Sequence, residues 1–172
     1  MTGQRIIFET ERLIVRVYTL NDEESFFLLN GDEQVVRYIR PPKNREDCNV
    51  FLREVIQYSE ENPLTGRWAV DEKATGRNIG MFAIIPVNDT AKLQLGYSLL
   101  KDSWGKGYST ELTKKGILFF FSQPGRSEIY ALTEAPNIAS QKVLEKCGFL
   151  LNETYVKGEK EVMEYIFLAT NK

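Results

Sequence analysis

The chain has 172 residues, 42% of them hydrophobic and 12% aromatic, which suits one globular domain over residues 1–172 with a substantial core. With 24 acidic against 22 basic residues the net charge is -2, so the cationic excess that drives nucleic-acid affinity is missing. The chain has no histidine, which removes the usual general base near neutral pH and the commonest metal ligand; proton transfer is left to carboxylate, Tyr, Ser, Cys, Lys or water.

The N-terminal MTGQRIIFETERL has no apolar targeting core, and the longest apolar run, residues 117–121, is far short of the ~20 residues of a membrane helix. A cytoplasmic protein with no membrane partner is the expectation. Residues 12–18 alternate Leu13, Val15 and Val17 against Arg12, Ile14 and Arg16, the period of a strand with one apolar face. Asn21 is placed to cap a helix carrying Phe26, Phe27, Leu28 and Leu29; a short helix from Asp32 to Ile39 stops at Pro41-Pro42. Asn44, three residues before Asp47, opens a third helix with Cys48, Phe51, Leu52, Val55 and Ser59 on one stripe. Cys48 and Cys147 each fall on the apolar side of a helix and read as buried thiols.

Strands follow at residues 67–70, 78–85 and 92–100, an antiparallel meander with a turn at residues 73–76. Residues 107–122 read as a helix with Tyr108, Leu112, Gly116, Phe119 and Phe120 innermost. A strand at 129–133 leads to a helix capped by Pro136-Asn137 that carries Ala139, Val143, Leu144 and Cys147, with Gly148 in the left-handed position after it. Residues 149–155 and 162–169 form a closing hairpin turning at Lys157-Gly158. The strand, helix, strand order from 92 to 133 requires a parallel pair within a mixed sheet, hence an α+β fold.

The stretch SWGKGYSTE, residues 103–111, puts two glycines between a strand and a helix. A helix N-terminus leaves several N–H groups free and carries partial positive charge, and glycine lets a ligand reach the backbone, so this context suits a phosphate cradle. The P-loop pattern fails because Gly107 follows Lys106, and the dinucleotide fingerprint fails at Thr110. The stretch resembles the pyrophosphate loop [RQ]-x-x-G-x-[GA] of the GNAT acetyltransferase superfamily, with Trp104, Gly107 and Ser109 at the three fixed positions. Its W-G-K-G-Y-[AS]-T-E form is similar to that of the ribosomal-protein N-acetyltransferase (RimJ/RimL-like) branch. TERLIVR (10–16), LGYSLL (95–100) and NIASQKVLEKCGF (137–149) resemble the same branch in the same order, so the resemblance spans nearly the whole chain.

The resemblance implies a GNAT-type mixed, mostly antiparallel seven-stranded sheet flanked by helices, with acetyl-CoA as co-substrate, no metal, an amine acceptor, and a monomer or homodimer. By resemblance, the backbone of Trp104, Gly105, Lys106, Gly107, Tyr108, Ser109 and Thr110 holds the pyrophosphate, and Leu99 and Leu100 pair with the pantetheine amides. Asn137 is both an N-cap and a contact to the cofactor arm. Lys106, Lys142 and Lys146 are either solvated or partners of the cofactor phosphates. The tyrosine acid of many family members falls on Leu144 here, and Ser140 stands where the RimL-like branch has a serine near the sulfur. The glutamate base of the fourth strand is replaced by Gln94, which leaves Glu134 or water.

Three functions fit these residues: transfer of acetyl to a peptide α-amine or small amine, non-catalytic acetyl-CoA binding, and transfer of a longer acyl group. Acceptor specificity is expected from the first helices, the 38–42 turn, Trp68, Phe82 and the final hairpin.

Overall fold

The structure is a computed structural model that describes residues 4–171. Eight strands form one sheet: β1 (Ile6–Glu9), β2 (Leu13–Arg16), β3 (Gly66–Glu72), β4 (Asn78–Pro86), β5 (Leu93–Leu99), β6 (Glu128–Glu134), β7 (Leu150–Lys157) and β8 (Lys160–Leu168). Their order is β1-β2-β3-β4-β5-β6-β8-β7, antiparallel throughout except for the parallel β5·β6 pair. The parallel pair is where the crossover required it. The eighth strand is β1, hidden in the sequence because its IIFE segment presents Ile6 to solvent and Phe8 to the core without a clear alternation.

Five helices cover the sheet: α1 (Glu23–Asn30), α2 (Glu33–Val36), α3 (Arg45–Glu61), α4 (Tyr108–Phe121) and α5 (Ile138–Lys146). Alternation along the strands sends residues to two cores. On one face Trp68, Val70, Phe82, Leu95, Leu99, Ile129 and Phe167 pack with Leu112 and Phe120 of α4 and Leu144 of α5. On the other face Ala69, Met81 and Leu100 pack with Phe26 and Leu29 of α1 and Cys48, Leu52 and Val55 of α3. Both cysteines are buried and free.

The caps follow local chemistry. Asn44 accepts from the Asp47 N–H at 2.8 Å and opens α3. Gly148, at φ +93°, ends α5 with Gly148 N–H donating to Glu145 O and Phe149 N–H to Leu144 O, a Schellman arrangement. The expected Asn21 cap of α1 is displaced: a 3-10 turn, Leu20–Asp22, precedes the helix, and Asp22 is the residue next to it. Asp22 is buried because it binds Arg16, whose guanidinium donates to Asp22 at 2.9 and 2.8 Å and to Asp71 at 2.5 and 3.1 Å. Arg16 therefore lies inside the protein, although the alternation put it on the polar face.

Candidate active site

The loop from Ser103 to Gly107 is shaped by two residues in the left-handed region, Gly105 at φ +73° and Gly107 at φ +82°. Gly107 is the N-cap of α4 and contributes no side chain to capping, so the first N–H groups of the helix point outward with their positive end uncovered. Among the described residues, the main-chain N–H groups of residues 105–110 have no acceptor.

The N-terminal Thr10-Glu11-Arg12 turn holds this loop from behind. Thr10 Oγ1 donates to Glu111 Oε1 at 2.5 Å, and Arg12 donates to the same carboxylate through its main-chain N–H (2.9 Å) and Nε (2.7 Å). Arg12 Nη1 also donates to the Lys106 carbonyl at 3.0 Å, and its guanidinium lies 4.4 Å from the Tyr108 ring centroid. Burial alone would raise the Glu111 carboxyl, but the bonds from Thr10 and Arg12 hold it below the ordinary carboxylate value. Tyr108 in turn donates to Glu72 at 2.5 Å. Two segments that matched the family separately are thus one fastening.

Beside the loop, β5 and β6 separate. Their one paired position is Gln94↔Tyr130, beyond which the strands run on without pairing. The Leu100 N–H donates to Ile79 O, so the antiparallel ladder turns the backbone of Ser98 and Gly96 toward β4 and that of Leu95, Tyr97 and Leu99 toward the gap. Of the two leucines expected to pair with a ligand, only Leu99 faces the gap, and its carbonyl already accepts from Trp104 Nε1 at 2.7 Å. Leu100 does not fit that role: its N–H is bound to Ile79 and its carbonyl to the Ser103 N–H. Tyr97 is the residue the sequence reading missed, since a family motif names it without saying which way its amide points.

The gap opens into a cleft of about 750 Å³ that joins the two faces of the sheet. On the α4–α5 face it is lined by the 103–110 loop except Lys106, together with Tyr97, Asn137, Ser140, Val143 and Leu144; on the α1–α3 face by Tyr38, Arg40, Arg67, Met81, Ala83 and Gln94. Asn137 accepts from the Ser140 N–H at 3.3 Å and so caps α5 at the rim. Two hydroxyls in the cleft wall, Tyr97 and Thr133, are buried without a hydrogen-bond partner, a state that ordinarily costs about 1–3 kcal/mol each. The Ser140 hydroxyl lies beside that of Tyr97 without the alignment of a formed bond. Burial pushes the Tyr97 hydroxyl up to about 12, so it keeps its proton at neutral pH and can both donate and accept a hydrogen bond.

Among the described residues, no Asp, Glu or Lys lines the cleft; its charged side chains are Arg40 and Arg67. Gln94 is there, its Nε2 donating to Pro86 O at 3.4 Å. Glu134 is not: it ends β6 outside the cleft wall and binds Lys160 of β8, which answers the expectation that it replaces the missing base. Lys106, Lys142 and Lys146 are exposed and lie outside the lining. Trp68 and Phe82, expected to shape acceptor specificity, are fully buried against Phe119 of α4 and Phe8 of β1, and the β7–β8 hairpin contributes nothing to the lining.

The cleft suits a long, flexible ligand with an anionic group at the α4 N-terminus. Residues 12–150 match the family described as acetyltransferase (GNAT) domain. The chain belongs to the GNAT acetyltransferase family. It is an N-acetyltransferase. It is 30% identical over 149 residues to the uncharacterised N-acetyltransferase YoaA of Bacillus subtilis (83% of this chain, 82% of that protein). Its fold is similar to that of the ribosomal-protein-S5-alanine acetyltransferase of Vibrio fischeri (TM-score 0.77, 20% identity, 96% and 98% of the two chains). It is also similar to the spermidine N-acetyltransferase of Vibrio cholerae, solved with CoA and spermine (TM-score 0.76, 18% identity, 93% and 97%). None of the helices among the described residues is long and apolar enough to cross a membrane.

Proposed function

We propose that this enzyme acetylates a primary amine, either a peptide N-terminal α-amine or a small-molecule amine, that enters from the α1–α3 face while acetyl-CoA lies along the α4–α5 face. The observation that carries the proposal is the cleft through the β5–β6 gap, with a cradle of free amides on one side and space beside Gln94 on the other.

Acetyl-CoA supplies the acetyl group already activated as a thioester. The N–H groups of residues 105–110 bind its pyrophosphate, assisted by the dipole of α4. The gap-facing main-chain groups of Tyr97 and Leu99 hold the pantetheine amides as an added strand would, and the Asn137 amide closes the arm from α5. Attack by the neutral amine forms the C–N bond and leaves the nitrogen cationic; as the C–S bond breaks, Ser140, positioned by the Tyr97 hydroxyl, passes a proton to the departing sulfur and regains one, through water, from the nitrogen. With no carboxylate in the lining, the incoming amine loses its proton to water before attack, and Gln94 orients it through its amide oxygen. Lys106, Lys142 and Lys146, outside the lining, meet only the outer phosphates.

The test is release of free thiol from acetyl-CoA across a panel of α-amines and small amines, with longer acyl-CoAs as competitors. The expected result is amine-dependent thiol release with at least one α-amine and preference for the acetyl donor. Tight acetyl-CoA binding with no turnover on any amine would reduce the protein to a binding module.

A further inference from the structure

The acceptor half of the cleft holds two cations with nothing to neutralise them. Arg67 of β3 and Arg40, in the turn after α2, both line it, and both guanidinium groups lie over the Phe51 ring, 5.5 and 5.1 Å from its centroid. Four arginines have a carboxylate within 4.0 Å (Arg12 has Glu111, Arg16 has Asp22 and Asp71, Arg45 has Glu24, and Arg77 has Asp102), and of the arginines without one, Arg40 and Arg67 are the two that line the cleft. Among the described residues, Arg40 and Arg67 have none. Arg40 donates to the side-chain oxygen of the buried Asn30, which fixes its direction, while its Nε is buried without a partner.

Each is held in an unfavourable state. Burial disfavours the charged form of both, and Arg67 repels Arg40 besides. A guanidinium does not escape by losing its proton at accessible pH, so it stays charged, and a half-buried like-charged pair is stable only at a cost that an anion between them would remove. Guanidinium forks match carboxylate and phosphate oxygens in geometry as well as charge. The pyrophosphate does not supply that anion, because its cradle is on the opposite face of the sheet.

We propose that Arg40 and Arg67 together bind an oxyanion, foremost a carboxylate, on the acceptor, so that the preferred amine is an acidic one. The proposal rests on the acetyltransferase reading for the word acceptor, but the anion site stands on the two arginines alone. It names a substrate feature that a cationic polyamine lacks: the pair would repel a spermidine-like acceptor.

Two measurements test it with the wild-type protein and with Arg67→Met and Arg40→Met, which keep an apolar stem over Phe51. Initial rates are compared for acceptors matched except for charge: Ser-Asp and Ser-Asn dipeptide amides, γ-aminobutyrate and γ-aminobutyramide, phosphoethanolamine and ethanolamine. The wild type is expected to favour the acidic member of a carboxylate pair by about tenfold or more in kcat/KM, and either variant to bring that ratio near one. A preference confined to phosphoethanolamine would reassign the oxyanion to a phosphate and overturn the carboxylate. Equal rates within every pair, or a preference unchanged in both variants, would overturn the site.

Independently of turnover, NMR titration with glutarate and with glutaramide should show saturable binding of the diacid only, lost in Arg67→Met. Acetyl-CoA affinity, measured by calorimetry, should stay within about twofold in both variants, and a parallel loss there would assign the arginines to the co-substrate instead. If no amine is turned over yet glutarate still binds, the acetyltransferase reading fails and the anion site survives; if glutarate does not bind, the anion site fails by itself.

Discussion

The two halves of the cleft are built from different materials. The half proposed for acetyl-CoA is backbone: free N–H groups of residues 105–110, the gap-facing amides of Tyr97 and Leu99, and a helix N-terminus behind them. The acceptor half is side chains brought from α2, the turn at Arg40, β3, β4 and β5. A backbone site depends on a few glycines, whereas a side-chain site can vary freely on the same scaffold. The division predicts where a mutation acts: the first half governs acetyl-CoA affinity, the second governs which amine reacts.

The largest effect should come from Gly107→Val. Gly107 sits at φ +82°, where a β-branched residue is strained, and a Cβ there would meet Arg12 Nη2 at 3.6 Å, so the loop must change its backbone conformation to accept valine. Acetyl-CoA binding should disappear by calorimetry while the circular dichroism spectrum is kept; near-normal affinity would break the assignment of the cradle. Ser140→Ala should lower kcat by ~10- to 1000-fold with unchanged acetyl-CoA affinity, the pattern of a lost transition-state proton donor. Tyr97→Phe should cost less, about tenfold in kcat, because it removes a hydroxyl that acts through Ser140. If Tyr97→Phe instead weakens acetyl-CoA binding, the tyrosine belongs to the first half alone.

Glu111→Gln sharpens the comparison more gently, because it loosens the loop from behind without touching the ligand. The Glu111 carboxyl is held below its ordinary value, so its contribution is fully present above about pH 4.5 and is lost as pH falls through its folded-state value. The wild type should lose thermal stability and acetyl-CoA affinity in that acid range. Glu111→Gln should weaken affinity by about tenfold near neutral pH and flatten the acid dependence, read by calorimetry across pH.

The same division explains what the sequence reveals. Backbone devices are written locally: Gly105 and Gly107 mark the cradle, Asn44 the start of α3, and Gly148 the end of α5, each because a particular dihedral or cap needs that residue type. Side-chain assemblies are not. Arg16 alternates like a surface residue, yet it is buried by Asp22 and Asp71, which are 6 and 55 positions away. Trp68 and Phe82 carry aromatic bulk suited either to a pocket or to a core, and only the register of β3 against β4 sends both toward α4. Arg40 and Arg67 are 27 residues apart with no shared pattern, so the cation pair becomes visible only when the cleft is assembled. Glu134 looked available because it sits near a strand end beside the expected site; Lys160 on the neighbouring strand takes it.

The central claim is that the acceptor amine meets no protein base. An α-amine of pKa near 8 is about one-tenth neutral at pH 7, while a lysine-type amine of pKa near 10.4 is neutral in well under a thousandth of molecules, so an enzyme without a base should track the amine. The decisive measurement is a pair of pH profiles of kcat/KM for two accepted amines of different pKa, with Glu134→Gln as control. The account predicts that each profile rises with the pKa of its own amine and that Glu134→Gln changes neither. A shared inflection near pH 6 to 7, independent of the amine, would contradict it and require a base in the cleft.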